Sequence, residues 1–264
     1  MPHDLAGFTQ SSFTHDGISR PVYAGGTGPA VVVIHEVPGL HPGVVEFAQR
    51  VVDAGFSVRM PSLFGTPGRD VSAGYTMRTL VEVCVAREFT AFALDRTSPV
   101  IGWLRRLAAE AHAECGGPGV GAVGMCFTGG FALGMMVDDT MLAPVLSQPS
   151  LPFPVTPSRR RAVGVSDADL ARVKERTTAG ACLLGLRFTH DAAVPEARFD
   201  TLRRELGDAF IAVEIDSSKG NPHGIPRRAH SVLTEHLVDE PGHPTREALD
   251  RVLAFFADRL RPGA

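Results

Sequence analysis

The feature that most restricts the fold is a regular alternation of short apolar runs with amphipathic helical stretches. Ala30–Ile34 reads Ala-Val-Val-Val-Ile, a β-branched run typical of a strand buried on both faces. Residues 41–54 follow it with apolar side chains at helical spacing. Further strands are predicted at residues 56–60, 120–123, 141–146, 181–188 and 210–215, and further helices at residues 100–115, 127–137, 167–178, 195–206 and 246–259. We therefore expect an α/β fold with a mostly parallel sheet covered by helices on both faces.

Two turn-rich stretches interrupt this alternation. Residues 149–157 contain four prolines and lead directly into an arginine run, Arg159, Arg160 and Arg161, while residues 217–230 are polar and rich in turns. Strand and helix patterns resume after both, so we predict a single domain over residues 1–264 with a proline-rich insertion around residues 148–166. The arginine run is interpreted either as a solvated surface or as a rim that attracts an anionic substrate.

Composition and charge narrow the possible partners and the compartment. The chain has 264 residues, of which 44% are hydrophobic, and this is enough for a sizeable core. Its net charge of −3 gives no electrostatic case for a nucleic-acid or membrane partner. The four cysteines form no CxxC pair, the first residues carry no basic and apolar leader, and no apolar run has the length of a membrane span. We therefore expect a reduced, cytoplasmic protein.

Cys126 stands at a predicted turn between a strand and a helix. The strand ends at Gly124, and the helix begins just after the cysteine. A residue at such a turn is held outward above the sheet, and the positive end of a helix favours a thiolate nucleophile. The alternative is a buried, inert cysteine, and that is how we interpret the three cysteines inside helix or strand patterns, Cys84, Cys115 and Cys182.

A thiol nucleophile needs a base, and the base needs an acid that orients it. In doubly wound hydrolases the chain order is nucleophile, acid, base. Asp191 comes just beyond the predicted strand 181–188, and His230 ends the loop after the next predicted strand. The alternatives are a turn or helix-capping role for Asp191, an ordinary loop position for His230, and His223 or His236 as the base.

The loop after the strand Ala30–Ile34 supplies the other candidate groups. A backbone N–H there, from Val37, can hold an oxyanion together with the N–H of Phe127, which follows the cysteine. His35-Glu36 is not a zinc motif, because no second histidine follows at HExxH spacing. No Walker A sequence is present, and the glycines near residues 25–28 precede a strand rather than follow it. We therefore predict neither a metal nor a cofactor.

These residues together resemble the dienelactone hydrolase family of α/β-hydrolases, over roughly residues 30–260. The resemblance is carried by His35-Glu36 after the buried strand, Gly-Met-Cys126-Phe at the turn, Asp191-x-x-Val-Pro and Ala-His230-Ser. It implies an α/β-hydrolase fold and a Cys–Asp–His triad that opens esters and lactones through an acyl-thioenzyme. It further implies that Cys126 is the nucleophile, His230 the base, Asp191 its orienting acid and Glu36 a modulator of the thiol.

Two departures from the family pattern bear on the site. The family turn commonly reads Gly-x-Cys-x-Gly-Gly, whereas here Thr128 stands two positions after the cysteine and the glycines come one step later. We therefore expect a turn of slightly different shape. Members that act on dienelactone hold its carboxylate with arginines, and the candidates here, chosen by region alone, are Arg69, Arg78, Arg159, Arg160 and Arg161.

The function predicted from the sequence is hydrolysis of a small carboxylic ester or lactone through a cysteine acyl-enzyme. A thioesterase or amidase would use the same groups, because acyl-transfer machinery is common to all of them. A third alternative is a catalytically idle α/β-hydrolase domain that binds a small ligand. The sequence leaves open whether the protein is a monomer or a small homo-oligomer. The single tryptophan, Trp103, is assigned to packing.

Overall fold

The structure is a computed structural model, and it describes residue 5, residues 7–89 and residues 94–261. Within these residues one sheet contains eight strands. They are β1 (Thr9–His15), β2 (Ile18–Gly25), β3 (Ala30–Ile34), β4 (Ser57–Pro61), β5 (Val120–Met125), β6 (Met141–Ser147), β7 (Leu183–Phe188) and β8 (Phe210–Ile215). The described helices are α1 (Pro42–Asp53), α2 (Ala73–Val85), α3 (Val100–Cys115), α4 (Phe131–Met135), α5 (Pro157–Arg161), α6 (Asp167–Thr178), α7 (Glu196–Leu206) and α8 (Pro244–Leu260).

The sheet is mostly parallel, as predicted. Its strand order is β1-β2-β4-β3-β5-β6-β7-β8, and the pairs from β4 through β8 are all parallel. The carboxyl ends of these strands therefore meet at one edge, where α/β sheets place their ligands. Two antiparallel strands, β1 and β2, extend the sheet on the β4 side.

Side chains of β3 alternate between two cores, which explains its continuous apolar sequence. Val32 and Ile34 belong to the core on one face of the sheet, and Val31 and Val33 belong to the core on the other. Residues of α3, α4, α6 and α7 complete the first core, and residues of α1 and α8 complete the second. The predicted covering of both faces by helices is confirmed.

The N-terminal hairpin and α2 are elements that the sequence analysis did not predict. β1 and β2 are joined by Asp16 and Gly17, both with positive φ, as a two-residue hairpin turn requires. Trp103 of α3 packs edge-on against Phe13 of β1 and donates its indole N–H to the carbonyl oxygen of Ile18 at 3.1 Å. The packing role assigned to Trp103 is confirmed, and its partner is this hairpin.

The prediction of one continuous helix over residues 127–137 is wrong. A 3₁₀ turn over Cys126–Thr128 comes first, and α4 begins only at Phe131. Gly129 and Gly130 lie between the 3₁₀ turn and α4. Glycine is a poor helix former, so this pair favours a break between the two helical pieces.

The proline-rich stretch contains neither helix nor strand until Pro157, which opens the five-residue α5. This agrees with the prediction of an irregular segment there and with the preference of proline for the first helical position. Within the described residues, every helix is too short or too polar to span a lipid bilayer. The assignment of residues 1–264 to a single domain stays a prediction.

Candidate active site

Cys126 occupies a strained turn directly after β5. Its φ is +52°, in the left-handed region that side-chain-bearing residues rarely adopt. Glycines make the turn possible: a Cβ on Gly124 would lie 2.2 Å from the carbonyl oxygen of Thr128, and a Cβ on Gly129 would lie 2.5 Å from Cα of Pro149. The close approach of strand, turn and proline-rich loop therefore leaves the cysteine half-buried at the carboxyl edge of the sheet.

Thr128 is fully buried and connects the turn to the loop after β3. Its Oγ1 accepts the N–H of Met125 at 3.1 Å. The same hydroxyl lies 3.0 Å from the carbonyl oxygen of Ile34 and 3.1 Å from that of His35, so its proton is donated toward them. Thr128 departs from the family pattern, and its buried hydroxyl has hydrogen-bond partners in the turn and in the loop after β3.

Asp191, just beyond the end of β7, and His230, in the loop between β8 and α8, lie together. Oδ2 of Asp191 is 2.6 Å from Nδ1 of His230, and Oδ1 of Asp191 accepts the N–H of Ala193 at 2.9 Å. The residue that caps α7 is Pro195, so the helix-capping alternative for Asp191 does not hold. Asp191 therefore makes a turn hydrogen bond with Ala193 in addition to its contact with His230.

The surroundings of His230 favour its protonated form. Burial disfavours a charged ring, but the neighbouring Cys126 sulfur and the Asp191 carboxylate outweigh it, so the pKa of His230 lies well above its ordinary value. The two rival histidines are placed elsewhere. His223 is exposed and faces the ring of His243, whereas His236 packs edge-on against Phe188.

Glu36 is buried and has hydrogen-bond partners on both carboxylate oxygens. Oε2 accepts from Ser231 at 2.7 Å and from the amide of Gln148 at 3.3 Å. Oε1 accepts from the hydroxyl of Thr234 and lies 3.2 Å from Nε2 of His41. Burial alone would raise the pKa of Glu36, but these partners outweigh it and hold that pKa below its ordinary value.

The partners of Glu36 come from its own loop, which contains His41, and from two other loops. Gln148 follows β6, while Ser231 and Thr234 follow the candidate base His230. The Glu36 carboxylate therefore ties the segment that carries His230 to the loops after β3 and β6 at the carboxyl edge of the sheet. Among the residues described, no hydrogen bond joins Glu36 to Cys126, although both line the same cavity. Its predicted action on the thiol stays a prediction.

Val37 and Phe127, the predicted oxyanion donors, line that cavity beside Cys126. Phe127 lies in the first turn of a 3₁₀ helix, where backbone N–H groups have no intrahelical acceptor. Within the described residues, no acceptor is found for the N–H of Val37. Neither N–H thus has a hydrogen-bond acceptor among the described residues, and their binding of an oxyanion stays a prediction.

The cavity has a volume of about 630 Å³, a size suited to a small organic ligand. Ser150, which the sequence analysis missed, lines it with its Oγ 3.7 Å from Sγ of Cys126. Its position just beyond the end of β6, at the same edge as the other candidates, was the signal that could have identified it.

Arg198 of α7 is a second missed residue. It is 1% exposed, and its guanidinium donates to four carbonyl oxygens of the proline-rich stretch at 2.5 to 3.0 Å. Those oxygens belong to Pro149, Pro152, Arg159 and Ala162. Burial lowers the pKa of Arg198 to about 10. This side chain holds in place the segment that carries Ser150.

The arginines suggested as carboxylate ligands do not line the cavity. Arg69 stacks on the ring of Tyr75 at 4.2 Å, and Arg78 pairs with Glu82 at 2.8 Å. The remaining three, Arg159, Arg160 and Arg161, belong to α5. Among the residues that the structure describes, no three His, Cys, Asp or Glu side chains converge as metal ligands would.

The parallel sheet, the strained turn after β5 and the acid–histidine pair at the carboxyl edge define an α/β-hydrolase. The model of the dienelactone hydrolase family matches residues 18–260, and the chain belongs to that family.

Solved structures of similar shape agree with this assignment. A structure assigned to a dienelactone hydrolase of Klebsiella pneumoniae subsp. pneumoniae has a TM-score of 0.64 at 19% identity, covering 95% of this chain and 98% of that one. A dienelactone hydrolase from Anabaena variabilis has a TM-score of 0.60 at 17% identity, covering 96% and 98%. At identities this low, the similarity in shape shows a shared fold and no more.

A curated relative is similar over a shorter segment. The hydrolase fragment YghX of Escherichia coli strain K12 is 42% identical over 55 residues, which are 19% of this chain and 47% of that protein. The match therefore spans about half the length of that relative.

Proposed function

We propose that the protein hydrolyses small carboxylic esters or lactones, with Cys126 as a covalent nucleophile. The observation that carries this proposal is the 2.6 Å contact between Asp191 and His230, on a histidine that lines the same cavity as Cys126. A nucleophile beside a base that a carboxylate orients is the arrangement that acyl transfer requires.

In the first half-reaction the Cys126 sulfur, whose proton is already held by His230, attacks the substrate carbonyl. The carbonyl π electrons move to oxygen, and the N–H groups of Val37 and Phe127 stabilise the oxyanion. The tetrahedral intermediate collapses when its C–O bond breaks. His230 then returns its proton to the departing alkoxide, which leaves as the alcohol.

In the second half-reaction water hydrolyses the thioester. His230 removes a proton from water, the resulting hydroxide attacks the acyl carbon, and the C–S bond breaks. The carboxylic acid is released, and the proton stays on His230 as at the start. Asp191 keeps the imidazole oriented through both halves and stabilises its charged form. No cofactor takes part in these steps.

The test uses a panel of aryl esters, thioesters, lactones and aryl amides with wild type, Cys126→Ala and Cys126→Ser. We expect wild type to hydrolyse the esters or lactones and Cys126→Ala to lose at least about a thousandfold in kcat/KM, because the nucleophile is gone. Mass spectrometry of acid-quenched reactions should find the acyl group on the peptide containing Cys126. Equal rates in wild type and Cys126→Ala would refute the proposal.

The same panel separates the alternatives. A preference for thioesters or amides over oxygen esters would assign the triad to a thioesterase or amidase. If no substrate is turned over and no acyl group is found on Cys126, the idle binding domain is the better description.

A further inference from the structure

The walls of the cavity around Cys126 are mostly apolar. Val71, Met77 and Leu80 line it from α2 and the residues just before that helix. Phe127 lines it from the turn and Phe153 from the proline-rich stretch. Walls of this kind favour hydrocarbon or aromatic surface over charged groups.

Apart from the histidines, the charged side chains that reach this cavity are acidic. Glu36 and Glu235 line it, and no lysine or arginine of the described part of the chain does. The remaining positions, 1–4, 6, 90–93 and 262–264, contain no lysine or arginine in the sequence.

The two histidines at the cavity already face carboxylates. His41 lies against Glu36, and His230 lies against Asp191. A carboxylate entering the cavity would therefore lose water without gaining a cation that is free of a carboxylate partner.

We propose that the site selects substrates whose acyl group is uncharged and apolar, and that it discriminates against acyl groups carrying a carboxylate. This inference rests on the hydrolysis proposed above and narrows its substrate class. A carboxylate leaving water needs a cation or several donors to recover its hydration energy, and Glu36 and Glu235 would instead repel it. A branched alkyl group of the same shape gains from the apolar walls.

The test compares two p-nitrophenyl esters of nearly identical shape. One is p-nitrophenyl 5-methylhexanoate, and the other is the mono-p-nitrophenyl ester of glutaric acid, which has a carboxylate where the first has a branched methyl pair. Both have the same leaving group, and the rate of each without enzyme is measured and subtracted, because the carboxylate of the glutarate attacks its own ester carbonyl and speeds the uncatalysed reaction. We expect kcat/KM for the neutral ester to exceed that for the glutarate by about 100-fold or more, and we expect KM to carry much of the difference.

A cation introduced at the rim should reduce this preference. Met77 lines the cavity and is 60% exposed, so an arginine there can reach the cavity while remaining hydrated. We expect Met77→Arg to change the ratio of the two kcat/KM values by about tenfold in favour of the glutarate. Met77→Gln, which has similar length and no charge, is the matched control and should leave the ratio within about threefold of wild type.

The outcomes keep the two proposals apart. If wild type hydrolyses the glutarate ester as fast as the neutral one and Cys126→Ala hydrolyses neither, the selectivity is refuted while the nucleophile stands. If wild type hydrolyses neither ester, the proposed hydrolysis fails, and the selectivity is then measured with the corresponding p-nitroanilides as ligands. The neutral anilide should protect Cys126 from alkylation at lower concentration than the glutarate anilide, and equal protection would refute the selectivity.

Discussion

Oδ2 of Asp191 lies 2.6 Å from Nδ1 of His230, although 39 positions of sequence separate the two residues. Asp191 follows β7, and His230 lies in the loop between β8 and α8, where β8 is the strand paired in parallel with β7. Parallel pairing places the carboxyl ends of both strands at one edge, so the topology itself brings acid and base together. The contact leaves the second ring nitrogen of His230 for the chemistry at Cys126.

Replacing Asp191 by asparagine should remove both the orientation and the charge that favours protonated His230. We expect Asp191→Asn to lower kcat by about 100-fold or more, because the amide also stabilises the wrong tautomer of the ring. The pKa of His230, now well above its ordinary value, should fall. The basic limb of the pH–rate profile, where His230 loses its proton, should therefore move to lower pH.

The control for this variant is Asp216→Asn. Asp216 also follows a strand at this edge, but its carboxylate accepts from Ser218 and not from His230. Its profile should match that of wild type. An unchanged basic limb in Asp191→Asn would contradict the assigned role of Asp191.

Arg198 should be important for stability although it is remote from the predicted chemistry. Arg198→Met leaves four carbonyl oxygens without this donor, two of them in buried hydrogen bonds, and we expect the free energy of unfolding to fall by about 3 kcal/mol. Because the released segment carries Ser150 and Phe153, KM should also rise.

Arg204→Met, on the same helix, is the matched control. The Arg204 side chain is 63% exposed and contacts its neighbour Glu205, so its loss should cost less than about 0.5 kcal/mol in urea unfolding. Equal destabilisation by the two variants would show that the buried bonds of Arg198 contribute no more than a surface pair.

The sequence allowed the parallel sheet to be predicted because its strands are buried on both faces. β3 is apolar at every position, so it could be predicted as a strand without knowing what packs on it. The hairpin of β1 and β2 was missed for the opposite reason. Most side chains of β1 are exposed, so its sequence lacks the apolar pattern on which the prediction depended.

The site was predictable where a residue's chemistry and its place after a strand coincided, as for Cys126, Asp191 and His230. Ser150 had the place after a strand but no chemistry that set it apart, and Arg198 had neither signal. Ser150 is an ordinary serine among prolines, and Arg198 has the sequence context of a surface arginine on a charged helix. Its burial depends on carbonyl groups of a segment whose irregular path the sequence pattern does not specify.

Thr128 offers a test of how the turn is held. Thr128→Val keeps the shape but removes the hydroxyl that bonds Met125 and reaches the carbonyl oxygens after β3. We expect it to lower the free energy of unfolding by about 2 kcal/mol and to lower kcat, because the turn fixes Cys126. Thr128→Ser keeps the hydroxyl and should lose less than half as much. Urea unfolding and ester hydrolysis measure both effects, and equal losses in the two variants would argue that the methyl group matters instead.

His35 should make the protein sensitive to mild acid. Nε2 of this fully buried ring accepts the N–H of Leu63 at 3.0 Å, and Nδ1 lies 3.0 Å from the carbonyl oxygen of Glu36, so the ring is held neutral. Burial is the main cause that lowers its pKa from 6.5 to about 4. Between these two values the unfolded chain binds a proton that the folded protein refuses, so stability falls as the pH falls.

This difference in pKa corresponds to a fall of about 3 kcal/mol in the free energy of unfolding between pH 6.5 and about pH 4. Above that range His35 does not make the free energy of unfolding depend on pH. His35→Gln can still accept the N–H of Leu63 but does not titrate. We expect it to be less stable than wild type at neutral pH and to lose about 3 kcal/mol less on acidification. Urea unfolding of both proteins across this range measures the difference, which isolates His35 because the other titrating groups are common to both. Parallel curves for the two proteins would show that His35 is not the group responsible.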